Sequence, residues 1–230
     1  MESKSALLIA GGGTLGTYTA EELLRLGHSV DVLCPEEKVS NNKKLHYIKG
    51  LATEETLKKL VSKKHYNGIV NFIHYVDVEE YKPVHKLLSE NTDHLIFLSS
   101  YRVYADLQHP ITESAPMLVD VLDDADFLQN EPYAAPKARA EKFLRNESQT
   151  RNWTAVRPVI SFSKRRFDVV TRSRQEVVDK ARAGDVITLP RVAKDLTAGL
   201  DWAGNSGKLI ANLLFKEETF GESYTISSGE

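Results

Sequence analysis

An apolar run, Ala6-Leu7-Leu8-Ile9-Ala10, passes directly into Gly11-Gly12-Gly13-Thr14-Leu15-Gly16, and behind it Leu15, Thr19, Leu23 and Leu26 recur at helical spacing. So short a run, bounded by glycines, reads as a strand; the spacing behind it reads as an amphipathic helix that stops at Gly27. A second run, Ser29 to Cys34, completes a β-α-β unit. This unit constrains the rest, because parallel strands need crossovers, and right-handed crossovers put helices on the faces of the sheet.

The alternation continues. Leu45 to Ile48, Gly68 to Ile73, His94 to Leu98 and Trp153 to Val156 read as further strands, and Thr53 to Val61 and Val78 to Leu88 as helices between them. The expected class is α/β, a doubly wound parallel sheet covered on both faces. After Val156 the pattern loosens into a helical stretch about Ser173 to Ala183, a strand-like Val186 to Leu189, a helix near Ser206 to Leu214 and a strand-like Ser223 to Ile226. The acidic Asp120 to Glu131 is expected as an exposed loop or mobile helix. With no linker visible, residues 1–230 are expected to form one domain.

Composition removes several classes of function. A net charge of -2 disfavours a dedicated nucleic-acid binder. The single cysteine, Cys34, cannot close an internal disulfide, and the seven histidines show no metal-ligand spacing. No metal is therefore expected, and a reducing cytoplasm is the expected compartment. The first apolar run is far shorter than the ~20 residues that span a bilayer.

The glycine turn carries the first chemical signal. A pyrophosphate needs backbone N–H groups at a helix N-terminus with no side chain in the way, and Gly13 and Gly16 supply the room and the close packing. Ala10 takes the first position of a Gly-x-x-Gly-x-x-Gly spacing, with Gly11 and Gly12 beside it. At the end of the second strand stands Cys34, where an acidic residue would hold a ribose, followed by Pro35-Glu36-Glu37-Lys38. Glu36 suits a 2′-hydroxyl and Lys38 a 2′-phosphate, so NAD and NADP both stay open, NAD being favoured.

Tyr133-Ala-Ala-Pro-Lys137 carries the second signal. A phenol and an ammonium at i and i+4 share one helix face, where the cation favours the ionised phenol. Pro136 fits only if the helix begins near Tyr133. Ser99 and Ser100 end an apolar strand, where open parallel sheets hold their ligands; helix capping is the plain alternative. The register against Val103-Tyr104 favours Ser100, with Ser99 second. Lys164-Arg165-Arg166 with Arg172 and Arg174 could clamp a diphosphate, although a solvated basic face is the commoner explanation. His74, His85 and His94 receive no role.

Taken together, Gly13-x-x-Gly16, Phe97-Leu98-Ser99-Ser100 leading into Val103-Tyr104, Tyr133-x-x-x-Lys137, Arg157-Pro158 and the final Gly221 to Glu230 segment resemble the short-chain dehydrogenase/reductase superfamily. The likeness is to its extended and atypical branches, which include the NAD-dependent epimerases and dehydratases of nucleotide sugars. It implies a Rossmann-type fold, a nucleotide-linked substrate and a homodimer. Ser100, Tyr133 and Lys137 are the catalytic residues it implies: Tyr133 as acid/base, Lys137 as its partner and a ribose ligand, Ser100 as the hydroxyl that polarises the substrate oxygen. The implied cofactor contacts are Ala10, Gly11, Gly13, Thr14, Leu15, Gly16, Cys34, Ile73, Ser99, Lys137, Arg157 and Pro158.

Two departures accompany the likeness. Phe72-Ile73-His74-Tyr75 replaces a His-Leu-Ala-Ala type segment, so bulky groups stand at the nucleotide's edge. The chain ends at Ser227-Ser228-Gly229-Glu230, where relatives continue, so the substrate lobe, 157–230, is expected to be small and incomplete. A shortened chain is the favoured explanation, and a protein lacking part of its sugar site the other. The family's aspartate segment before a helix is matched to Val192-Ala-Lys-Asp195-Leu196. The competing reading is a non-catalytic nucleotide-responsive regulator or an RNA-associated protein of the atypical branch.

Overall fold

The computed structural model describes residues 2–166, 172–195 and 197–228. Leu7, Leu8 and Ile9 are fully buried, as a central parallel strand requires, since helices press on both of its faces. Burying each such side chain contributes about 1.5–3 kcal/mol.

That strand, β1 (Ser5–Ile9), pairs in parallel with β2 (Ser29–Cys34) on one side and β4 (Tyr66–Asn71) on the other. Among the described residues the main sheet has seven strands in the order β3-β2-β1-β4-β5-β6-β9, with β3 (Leu45–Lys49), β5 (Thr92–Leu98), β6 (Trp153–Pro158) and β9 (Glu222–Ile226). Every pairing is parallel. The strand order reverses between β1 and β4, and ligands of such sheets bind outside the carboxyl ends of the strands at that seam.

Helices cover both faces. On one, α1 (Thr14–Arg25) packs beside α8 (Ala203–Leu213) over Leu8, Val32, Val70 and Ile96. On the other, α2 (Glu54–Lys63), α3 (Val78–Ser89) and α6 (Ala134–Asn146) lie against side chains that include Leu7, Ile9, Ile69 and Phe97. Thr53 and Asp77 cap α2 and α3, accepting backbone N–H groups at 3.2 and 2.9 Å.

Several boundaries differ from the sequence reading. The Asp120 to Glu131 segment is largely exposed, as expected, and is divided between the end of one short helix, α4 (Leu118–Val121), and a second, α5 (Ala125–Asn130), capped by Asp124. β7 (Ile160–Phe162) and β8 (Leu200–Trp202) form a separate parallel pair that the sequence pattern did not show. Between them a π-helical turn, Gln175–Asp179, runs into α7 (Lys180–Ala183), which Gly184 ends at φ 76°. Val186 to Leu189 is not a strand: Val186 is 83% exposed, and among the described residues no strand pairs with it. Asp195 sits in an exposed 3-10 turn; the aspartate that precedes a helix is the buried Asp201, whose carboxylate accepts from Ser206 Oγ at 3.0 Å. Leu196, Gly229 and Glu230, parts of two expected motifs, lie outside the described residues.

Candidate functional site

The turn after β1 is tight enough to exclude side chains at three points, one of them Gly12, where a Cβ would stand 2.7 Å from Cys34 Cβ. A Cβ on Gly11 would come within 2.6 Å of Leu8 Cβ, and one on Gly16 would strike the Gly11 backbone. A Cβ on Gly13 would meet nothing within 4 Å. Gly13 is the N-cap of α1 and offers no side-chain acceptor, so the N–H groups of Thr14, Leu15 and Gly16 begin the helix without a side-chain partner. Open space before bare N–H groups is what an anionic diphosphate fits. Ala10 occupies the left-handed region at φ 56°, where the usual residue is glycine.

The end of β2 closes on this turn. Cys34 is buried, its thiol is pushed up by that burial, and its Sγ donates to Glu36 O at 3.4 Å. Lys38 Nζ donates to Gly12 O at 2.8 Å, and Glu36 Oε2 lies 3.1 Å from where a Gly12 Cβ would stand. Both candidate ribose ligands therefore converge on Gly12. Ala10, Cys34 and Ile73 line one apolar cleft of about 350 Å³ with Leu33, Pro35 and Ala52.

Across the seam, Leu15, Ser99, Ser100, Tyr133 and Pro158 line a second cleft of about 440 Å³ together with Arg102. Residues 106 to 130 and α6 bring Tyr133 here from far along the chain. Tyr133 is the N-cap of α6, with Pro136 in the first turn as its missing N–H requires. Glu131 Oε2 accepts the N–H groups of Tyr133 and Ala135 at 3.0 and 2.8 Å, and Glu131 Oε1 accepts from Arg102 Nη2 at 3.3 Å. The Tyr133 ring stands 5.2 Å from the His74 ring.

Lys137 directs its ammonium to two backbone carbonyls. Its ammonium is buried and donates to Leu98 O and, at 3.1 Å, to Ile73 O. Burial pulls it down to about 7 against the opposing charge of Glu141. Among the described residues no hydrogen bond joins the Lys137 and Tyr133 side chains. The two serines also part company. Ser100 Oγ accepts from Arg102 N at 3.2 Å and, among the described residues, donates its own O–H to none, whereas Ser99 Oγ donates to Glu141 Oε1.

Arg157 does not reach either cleft. It is 1% exposed, and its guanidinium binds Glu141 through Nε and Nη2, the latter at 2.6 Å, while Nη1 donates to Tyr104 OH at 2.6 Å and Glu113 O at 3.0 Å. This fully buried pair clamps α6 to β6, and Ser223 on β9 donates to the same Glu141 at 3.2 Å. Sequence reasoning missed Glu141. Its position four residues after Lys137, on the same helix face, was the available signal. The basic cluster also divides: Arg166 lines the Tyr133 cleft, Lys164 and Arg165 line a separate hollow with Tyr18 and Trp202, and Arg172 and Arg174 pair with Glu176 and Asp179.

Among the described residues no group of three His, Cys, Asp or Glu side chains could hold a metal ion, and no helix is long and apolar enough to cross a membrane. The sequence matches none of the curated proteins with which it was compared. Solved structures resemble it in fold. An epimerase from Methanothermobacter thermautotrophicus gives a TM-score of 0.74 at 14% identity, covering 100% of this chain and 73% of that one. The Bordetella bronchiseptica enzyme WbmG in complex with NAD gives 0.72 at 18% identity, covering 100% and 74%. UDP-glucose 4-epimerase from Bifidobacterium longum, in complex with NAD+ and UDP, gives 0.70 at 17%, covering 98% and 78%. The NAD dependent epimerase/dehydratase family model matches residues 7–203, and with most of its length so matched the chain belongs to that family.

Proposed function

We propose that the protein is an NAD(P)-dependent oxidoreductase of epimerase or dehydratase type, acting on a nucleotide-linked sugar or a related alcohol or ketone. The observation that carries this reading is the joining of Tyr133 and Ser100 in one cleft that also reaches Leu15, at the bare N-terminus of α1. In this reading the N–H groups of Thr14, Leu15 and Gly16 hold the diphosphate, and Ala10, Cys34 and Ile73 wall the adenosine half. Glu36 beside Gly12 favours NAD, which WbmG and the Bifidobacterium longum enzyme hold in their structures.

When bound, the nicotinamide supplies or accepts a hydride at the substrate carbon. The chain's own residues manage the proton and the oxygen. Tyr133 takes the proton from the substrate hydroxyl as the carbinol becomes a carbonyl, and returns it in the reverse step. Ser100 donates its uncommitted O–H to that oxygen and so orients it. Lys137 pins the backbone carbonyls of Ile73 and Leu98, at the carboxyl ends of the neighbouring strands β4 and β5. Glu141 holds Ser99 in place behind Ser100. The proposed partners are this small substrate and a second copy of the chain.

Calorimetric titration of NAD, NADP and a short RNA into the full chain tests the cofactor. Turnover of a panel of UDP-sugars with Tyr133→Phe then tests the chemistry. The expected result is dinucleotide binding that Tyr133→Phe leaves intact and turnover that it abolishes. Full turnover by the variant overturns the assignment, and salt-sensitive RNA binding without dinucleotide affinity favours the RNA-associated alternative.

A further inference from the structure

The basic run Lys164-Arg165-Arg166 is only partly taken up by the candidate site, since Arg166 alone of the three lines the Tyr133 cleft. Lys164 and Arg165 line a hollow of about 630 Å³ bounded by α1 and the start of α8. It is larger than either cleft described above and shares no lining residue with them. Its volume falls within the range of small-molecule sites.

Two aromatic rings stand in this hollow. Trp202, the residue before α8, is 47% exposed, and the Tyr18 ring packs against it edge-on, with centroids 5.6 Å apart and planes at 65°. A Cβ on Gly204 would lie 2.5–2.6 Å from three atoms of the six-membered indole ring, so that ring rests flat over the Gly204 backbone. Glycine at 204 therefore seats one face of the indole on the helix. The tyrosine holds an edge, and the opposite face is the part left open.

Charge gives the hollow its sign. Arg25 spends two hydrogen bonds of 2.7 Å on Glu22, which makes that pair neutral within itself. Lys164, Arg165 and Lys208 also line the hollow, and among the described residues no hydrogen bond or salt bridge holds their side chains. Glu21 is the one other carboxylate in the lining. Three cations against one carboxylate leave a positive hollow on a chain whose net charge is -2.

We infer that this hollow is a second nucleotide site, which takes a free nucleoside di- or triphosphate with its base stacked on Trp202 and its phosphates on Lys164, Arg165 and Lys208. The site goes beyond the functional reading above and does not depend on it. Stacking on an aromatic ring suits any base, because each has a π-face, and ammonium and guanidinium groups bind phosphate oxygens. The carboxylates favour a free nucleotide over a nucleic-acid strand. Glu21 and Glu22 would repel the phosphates that continue a strand, whereas sugar hydroxyls of a single nucleotide can donate to Glu21.

Tryptophan fluorescence of the full chain reads the contact, because the chain has two tryptophans and the other, Trp153, is buried and gives a constant background. Titration with ADP is expected to quench the signal saturably, and Trp202→Phe should remove the quench. The double variant Lys164→Glu with Arg165→Glu keeps the indole in place and reverses two surface charges, so its affinity for ADP should fall by at least about tenfold. Adenosine, which carries the base without phosphates, should bind the wild type weaker than ADP by a similar factor. Unchanged ADP affinity in the double variant, adenosine binding as tight as ADP, or no quench at millimolar ADP overturns the inference. A short single-stranded RNA that quenches more strongly than ADP at equal nucleotide concentration overturns the assignment to a free nucleotide.

Discussion

Arg102 holds its guanidinium 5.2 Å from the centre of the Tyr133 ring, and Glu131 ties the two together by accepting from both. One carboxylate thereby fixes the start of α6 and the cation above its capping residue. Glu131→Ala removes the acceptor for two helix N–H groups and should lower stability by about 1–2 kcal/mol in urea denaturation. Arg102→Gln leaves those bonds in place and should cost under about 1 kcal/mol. Equal costs would show that the helix start does not depend on the carboxylate.

Ala10 sits at φ 56°, a conformation that costs an L-residue with a side chain roughly 1–2 kcal/mol. Glycine adopts it freely, at the expense of a more flexible unfolded chain. Ala10→Gly should therefore raise the unfolding free energy by about 1 kcal/mol, and a lower denaturation midpoint for the variant would contradict the strain.

Glu141 and Arg157 form an ion pair at 0% and 1% side-chain exposure. Removing one charge strands the other, so Glu141→Gln should cost about 3–5 kcal/mol. The double variant Glu141→Leu with Arg157→Met should cost less than either charge-removing change alone, and a double-mutant cycle measures the coupling.

His85 and His94 are both pushed down to about 4 by burial, with Lys4 adding to the effect on His94. His94 has a second reason to stay neutral, because Nδ1 accepts from Phe215 N at 3.0 Å and has no place for another proton. An unfolded histidine takes a proton near pH 6.5 and the folded one does not, so stability present above that pH is lost as pH falls towards 4. Each site contributes up to about 3 kcal/mol to that loss. Urea denaturation at stepped pH should show the slope, and His94→Gln should reduce it to the share of His85.

Lys137 acts in the same direction at higher pH. Its amine, pulled down to about 7, gives up its proton in the folded state while the unfolded chain keeps it up to about 10.5. Stability should rise with pH between those values, and Lys137→Met should remove that rise.

The sheet was legible because its strands carry continuous apolar runs, such as Leu7 to Ile9, that only burial on two faces explains. The turn at Gly13 and the Tyr133–Ser100 pairing were legible because residue type and order announced them. Lys137 was harder. The i and i+4 argument assumes both residues are helical, yet Pro136 starts the helix at Ala134 and leaves Tyr133 outside it. The resemblance implied a cofactor contact for Arg157, whose buried partner Glu141 comes from another element at a distance that local spacing does not encode. Val186 to Leu189 had a strand's composition but, among the described residues, pairs with no neighbouring edge, and β7 and β8 are too short to leave a periodic trace.

The last strand gives the network around Arg157 an order in time. Ser223 and Thr225 of β9 reach Glu141 and Tyr104, so the polar knot at the heart of the second half is sealed by a strand that follows the other six of the main sheet in chain order. Until they arrive, the nascent chain carries a charged pair with one side unroofed, while the first β-α-β unit, complete within its opening thirty-odd residues, can already collapse. Folding in the cell should then proceed from the glycine turn outward, with the substrate side finished only when β9 docks.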